Sequence, residues 1–228
     1  MEMRSLKESL LDDFGEQTKD LKHEAIVDWV KKNNRFKSNG LNINPDGTID
    51  IYNFMYKGKG NFPDYINFNN CEFFDCHGCE MTSLRGCPKH VNGDFYCNDN
   101  ELKTLEYCPE IIRLSFDCSN NDLTSLEGAP SHADIFDCSN NKLTSMKYCP
   151  EASAIYCNGN KLNSLEGCPE IVSGNFDCHN NFLKSLKGVP RRIGGTFDFR
   201  NNKVSTLEYY PEFIGDNVLN QENPCCKK

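Results

Sequence analysis

The residues of this chain with the types and spacing for chemistry are its cysteines, histidines and aspartates. Cys76-x-x-Cys79, with His77 between the two and His90 close by, has the spacing of a zinc knuckle, in which thiolates and imidazoles share one ion. The cysteines number 14, yet they fall at fixed slots of an internal repeat. They therefore read as reduced, small, buried apolar side chains and not as a disulfide framework. A thiol nucleophile needs a base within hydrogen-bond reach, and His77 and His179 stand about five repeats apart, around 24 Å at the spacing of parallel strands. No catalytic residue, no metal site and no cofactor are expected.

The aspartates form a pattern of their own. Asp75, Asp117, Asp137, Asp177 and Asp198 recur at one repeat position, and Tyr96 and Tyr156 hold that position in the two remaining copies. Side chains alternate along a strand with period two, so this position faces outward between an inward-facing Phe or Ile and an inward-facing Cys or Phe. Beside it lie His77, Asn98, His179 and Arg200, with Ser119, Ser139 and Asn158 in the intervening copies. Like charges on neighbouring strands cost a few tenths to about 1 kcal/mol, so the stripe brings no stability and is expected to serve a partner. Duplication of one ancestral unit would also leave such a stripe; the tyrosines that interrupt the copies favour use. The expected docking residues are Asp75, Tyr96, Asp117, Asp137, Tyr156, Asp177 and Asp198 together with His77, Asn98, His179 and Arg200. Calcium is not expected, because carboxylates projecting from a flat sheet lack the six to eight convergent oxygens that ion prefers.

A repeat positions these residues. FDCHGCEMTSLRGCP, FYCNDNELKTLEYCP, FDCSNNDLTSLEGAP, FDCSNNKLTSMKYCP, IYCNGNKLNSLEGCP, FDCHNNFLKSLKGVP and FDFRNNKVSTLEYYP share one template. Cys76, Cys97, Cys118, Cys138, Cys157, Cys178 and Phe199 mark it at steps of 21, 21, 20, 19, 21 and 21 residues, the period of a solenoid. Asn100, Asn121, Asn141, Asn160, Asn181 and Asn202, with Cys79 in the first copy, follow each strand. An inward-turned amide there hydrogen-bonds coil backbone that would otherwise be buried unpaired. Leu102, Leu105, Leu123, Leu126, Leu143, Met146, Leu162, Leu165, Leu183, Leu186, Val204 and Leu207 are expected to point inward. A proline such as Pro109 or Pro169 then ends any helical tendency. About six residues separate it from the next strand, which leaves room only for extended or single-turn backbone.

Over residues 70–215 the template resembles the leucine-rich repeat, L-x-x-L-x-L-x-x-(N/C)-x-L, with Phe and Cys in the two strand positions. Segments such as NKLNSLEGCPE and GNFDC are similar to short-repeat proteins of bacteria and bacteriophages, and the period is similar to that of secreted bacterial effectors with a helical cap. The resemblance implies an α/β solenoid: a leucine-rich-repeat horseshoe with a parallel concave β-sheet, short convex segments and an N-terminal helical cap. It implies binding and no enzyme.

Four regions follow. Residues 1–40 read as the helical cap, because a solenoid exposes the core of its first coil unless something covers it. One helix spans Leu21 to Lys32, with Leu21, Ala25, Ile26, Trp29 and Val30 as its apolar face, and an earlier one covers Leu6, Leu10, Leu11 and Phe14 before Gly15. Residues 41–70 hold a β-hairpin, turning at Asn44-Pro45-Asp46-Gly47, and a degenerate first repeat. Residues 71–216 are the seven repeats, and 217–228 a disordered tail.

Charge narrows the partner. Residues 71–216 hold 21 acidic and 13 basic side chains, a net of −8, whereas residues 1–70 sum to −1 and 217–228 to +1. Phosphate neutralisation needs a basic face, so direct nucleic-acid binding is not expected, and a protein with a basic surface is. Without an apolar run near 18 residues or a secretory signal, the expectation is no membrane and a monomer in the cytoplasm, that of the host if a phage encodes it. A further column, Glu80, Glu101, Asp122, Lys142, Lys161, Phe182 and Lys203, changes sign midway and reads as solvated surface charge. The expected function is a protein-binding module that inhibits a host or defence factor. The alternatives are a self-assembling, virion-associated repeat protein and a zinc-binding protein.

Overall fold

The computed structural model describes residues 19–37 and 40–226. Its strands are β1 (Asn42–Ile43), β2 (Ile49–Met55), β3 (Phe68–Asp75), β4 (His90–Val91), β5 (Phe95–Tyr96), β6 (Ile111–Ile112), β7 (Ser115–Asp117), β8 (Ile135–Asp137), β9 (Ala154–Tyr156), β10 (Ile171–Val172), β11 (Phe176–Asp177), β12 (Arg192–Ile193), β13 (Phe197–Asp198), β14 (Phe213–Ile214) and β15 (Val218–Leu219). Nine of them, β2, β3, β5, β7, β8, β9, β11, β13 and β15, run side by side in one parallel ladder, and β1 pairs with β2 as the antiparallel hairpin expected at Asn44–Gly47. Segments after the prolines are extended: β4 and β6 continue one end of β3, and β10, β12 and β14 make a second parallel sheet. The chain is a parallel β-solenoid.

Each coil buries the same few side chains on top of those of the coil before. Phe74, Phe95, Phe116 and Phe136 form a stack with ring centroids 5.7, 5.9 and 5.5 Å apart, and Phe54 of β2 extends it at 5.1 Å from Phe74. The strand cysteines Cys76, Cys97, Cys118, Cys138, Cys157 and Cys178 and the leucines of each return turn fill the remainder, all of them buried except at the last coil. There Leu207, expected inside, is 49% exposed, because no later coil lies over it among the described residues.

The asparagine ladder holds the coils in register. Oδ1 of Asn121 accepts the Leu102 N–H at 2.9 Å, while its Nδ2 donates to the Cys97 and Cys118 carbonyls at 3.0 and 3.2 Å. The residue before each ladder asparagine turns left-handed, with φ of 52° at Asn120 and Asn140 and 53° at Asn180, a conformation asparagine tolerates. Ladder bonds also extend beyond the expected repeats. Asn223 is fully buried, accepts the Val204 N–H at 3.1 Å and donates to the Phe199 carbonyl at 2.7 Å. The tail expected to be disordered thus contributes a rung, β15, followed by a 3-10 turn at Pro224–Cys226. The amide groups of the preceding coil need a partner there, and Asn223 supplies it.

A helix over residues 19–33 covers the first coil. Ile26 and Val30 are buried, and Trp29 stacks on Phe54 and Tyr56 at 6.3 and 5.8 Å and meets Phe62 edge-on at 5.7 Å. Leu21 and Ala25 are exposed instead of packed, since only the second half of the helix lies over the coil. Asn34 then ties the helix end to β2, donating to the Asn53 carbonyl at 3.1 Å and accepting the Met55 N–H at 2.9 Å. The helix expected over Leu6 to Phe14 lies outside the described residues.

Candidate binding face

The strand register brings the expected column together. Asp75 pairs with Tyr96, Tyr96 with Asp117, Asp117 with Asp137, Asp137 with Tyr156, Tyr156 with Asp177, and Asp177 with Asp198. Parallel strands lie about 4.8 Å apart, so each residue is the neighbour of the next on one continuous row.

Two expectations about this row are corrected. Asp75 and Asp198 are not outward-facing docking groups: they are 3% and 5% exposed, and the other members are half-buried. The aspartates also contribute to the fold. Oδ1 of Asp75, Asp117, Asp137, Asp177 and Asp198 accepts the backbone N–H two residues on, from His77, Ser119, Ser139, His179 and Arg200, at 2.9 to 3.0 Å. Each closes an Asx turn, where the chain leaves the strand and the ladder offers that N–H no partner. The cost of stacked carboxylates is offset by these bonds.

Side chains two residues on, in the same coils, partner the carboxylates at both ends of the row. His77 Nδ1 lies 2.6 Å from Asp75 Oδ1, and His179 Nδ1 lies 2.6 Å from Asp177 Oδ1 and 3.9 Å from Asp198 Oδ2. Arg200 closes a fork on Asp198, with Nε at 3.0 and 3.1 Å and a terminal nitrogen at 2.6 Å from the carboxylate oxygens. Asp177, His179 and Asp198 each bring one ligand atom within 4.8 Å of the others, three donors where calcium takes six to eight oxygens. Arg200 already balances the Asp198 carboxylate, so the chain itself supplies the positive charge. The exposed His77 and the half-buried Asn98, His179 and Arg200 all border the row as expected.

The middle differs. Among the described residues, Asp117 and Asp137 have no ion-pair partner within 4.0 Å, although they face one another in register. Burial, aided by the Asp137 charge, pushes the Asp117 carboxyl up, against the Ser119 hydrogen bonds that pull it down. Burial likewise pushes Asp177 up, with Asp198 adding to the rise and His179 opposing it. Tyr96 and Tyr156 flank the pair; the Tyr96 hydroxyl is raised by burial and the Asp94 charge, and Asn175 Nδ2 donates to the Tyr156 oxygen at 3.4 Å.

Sequence reasoning did not find the aromatic edge of this face. Phe36, just after the helix, meets Phe73 at 5.9 Å, and Phe73 meets Tyr96 at 5.6 Å, both edge-on. Phe73 lies two residues before Asp75, in the column that the repeat places beside the row, whereas Phe36 lies outside the repeat and carried no such signal. In the outer column, Lys142 pairs with Asp122 at 2.6 Å and Lys203 lies over the Phe182 ring at 5.1 Å, so its sign change is taken up between coils.

The cysteines from Cys71 to Cys178 are free thiols. Cys76 and Cys79 lie in the core, with their sulfurs on the Tyr96 carbonyl at 3.4 Å and the His77 carbonyl at 3.2 Å. Burial pushes the Cys79 thiol up to about 11, which opposes the thiolate that zinc requires. Among the described residues no helix is long and apolar enough to cross a membrane. Comparison of the chain with protein-family models, with curated proteins and with solved structures found no match.

Proposed function

We propose that this protein is a binding module of the leucine-rich-repeat kind, encoded by a bacteriophage or bacterium, that seats a basic side chain of a partner protein on the row Tyr96–Asp117–Asp137–Tyr156. Its role is to block a host or defence factor. One observation carries the reading: these four residues are consecutive in register, and their two central carboxylates lack the imidazole or guanidinium partner that each of the other aspartates has. A guanidinium or ammonium placed there meets two half-buried carboxylates and a tyrosine on either side. Charge-assisted hydrogen bonds and cation–π contact are both strongest in such a partly desolvated setting. The aromatic edge at Phe36 and Phe73 adds apolar contact beside the charge. The ladder asparagines and the repeat period support the leucine-rich-repeat kinship.

The test uses the full chain as bait in a bacterial lysate, followed by titration of the captured protein. Asp117→Asn/Asp137→Asn keeps both turn bonds and removes both charges, and it should weaken binding at least about tenfold, a loss of about 1.4 kcal/mol. The melting temperature should be unchanged or raised. Undiminished binding by this variant overturns the proposal.

A second reading, self-assembly, is favoured by the last coil. Leu207, Tyr209, Tyr210 and Phe213 are exposed there, beside β15, which among the described residues has a neighbour on one side only. Open strand edges invite pairing with another chain. Light scattering that finds a monomer throughout a concentration series eliminates this reading.

A further inference from the structure

Two columns of cysteine run through the solenoid, and only one stacked pair is placed to react. The inner column, Cys76, Cys97, Cys118, Cys138, Cys157 and Cys178, is wholly buried. The outer column precedes the prolines and comprises Cys87, Cys108, Cys149 and Cys168, with Ala129 between Cys108 and Cys149. Cys149 and Cys168 occupy equivalent turns of successive coils: the Cys149 N–H donates to the Met146 carbonyl at 3.0 Å and the Cys168 N–H to the Leu165 carbonyl at 3.1 Å. Coils stack about 4.8 Å apart, inside the roughly 4.4–6.8 Å between Cα atoms that a disulfide spans. The two thiols are in hydrogen-bond contact, and both residues are half-exposed.

No other stacked pair of described cysteines combines these features. Cys87 is buried, with its sulfur in contact with Cys76 of the inner column. Cys108 is half-exposed but has Ala129 above it and the buried Cys87 below.

We propose that Cys149 and Cys168 form a redox-active dithiol that closes into an inter-coil disulfide on exposure to a hydroperoxide. One sulfur of the pair attacks the terminal oxygen of the peroxide, its proton passes to the departing oxygen, the O–O bond breaks, and water or an alcohol leaves as the sulfenic acid forms. The other sulfur then displaces hydroxide from that sulfenic sulfur, and the hydroxide takes the second thiol's proton and leaves as water. With hydrogen peroxide, two thiols are oxidised by two electrons, and one peroxide becomes two waters. The product staples neighbouring coils on the side of the molecule away from the aspartate row. It does not depend on the proposed partner.

The experiment oxidises the folded, full-length protein with a modest excess of hydrogen peroxide, blocks remaining thiols with an alkylating agent, and sequences the digest by mass spectrometry. The expected result is a linkage between Cys149 and Cys168, free inner-column thiols that alkylate only after unfolding, and a raised melting temperature reversed by a reductant. Cys149→Ala and Cys168→Ala, the residue that stands at the same turn as Ala129, should each abolish both linkage and shift. The proposal is overturned if Cys149 and Cys168 stay free under oxidation, pass on to sulfinic acids without pairing, or link to any other cysteine.

Discussion

Asn141 and Leu123 are joined across neighbouring coils: the amide oxygen of Asn141 accepts the Leu123 N–H at 2.9 Å, and its nitrogen turns back to the carbonyls of Cys118, Cys138 and Ser139 at 3.0, 3.1 and 3.2 Å. One side chain thus satisfies four buried backbone groups. Removing a partner strands a buried donor or acceptor at about 1–3 kcal/mol each. Asn141→Ala should therefore lower the unfolding free energy by about 3 kcal/mol or more, measured as a fall in the urea midpoint. An unchanged midpoint would sink the account of the ladder.

The pH dependence of Asp117 has a defined sign. Folding raises its carboxyl above the ordinary 3.8 through burial and the Asp137 charge. A carboxyl raised by folding contributes stability that is complete below the unfolded value and is lost as pH rises through the folded one. At neutral pH, Asp117→Asn should gain up to about 1 kcal/mol by removing the like-charge pair while keeping the bond to the Ser119 N–H. On acidification below the unfolded value the difference should vanish. Melting curves of both proteins at the two pH values check this, and a gain that persists in acid would contradict it.

Trp29 covers the first coil, and solenoid coils depend mainly on their neighbours. Trp29→Ala should cost about 3–5 kcal/mol of local stability, felt most in β2 and β3. Hydrogen exchange should quicken there while amides of β8 and β9 keep their protection. Uniform loss of protection would show instead that the coils unfold as one unit.

Tyr148 has φ of 69° at a turn where Gly128 and Gly167 hold the same place in adjoining coils. A left-handed residue with a side chain carries a cost of about 1–2 kcal/mol that glycine avoids. Tyr148→Gly should leave the melting temperature unchanged or higher, since the exposed ring has the Lys147 amine, 4.6 Å from its centroid, as its recorded close partner. A marked loss of stability would mean that the ring packs more tightly than its exposure indicates.

The solenoid, the phenylalanine stack, the asparagine ladder and the hairpin at Asn44–Gly47 were all readable from residue order. Each depends on short-range periodicity: a residue of given type returns every twenty or so positions, and stacking sends it to the same depth in every coil. The last rung escaped notice because Leu219 and Asn220 stand where the template has Asp and Cys or Phe, leaving Asn223 as the one retained signature. Leu207 illustrates the converse, a template residue that is exposed because, among the described residues, no return turn of a later coil lies over it.

The placement of acidic groups on one strand position is a property of the repeat and could be counted before any fold was known. Their roles come from depth and company. Asp75 and Asp198 are buried against His77 and Arg200, Asp177 shares His179 with Asp198, and Asp117 and Asp137 face each other uncompensated, although all five occupy one template slot. The reason is physical. Residue order sets which side of a strand a carboxylate takes and whether a histidine or arginine follows it two positions on, whereas the sharing of His179 between Asp177 and Asp198, the facing of Asp117 on Asp137 and the water left around each carboxylate are properties of the assembled stack.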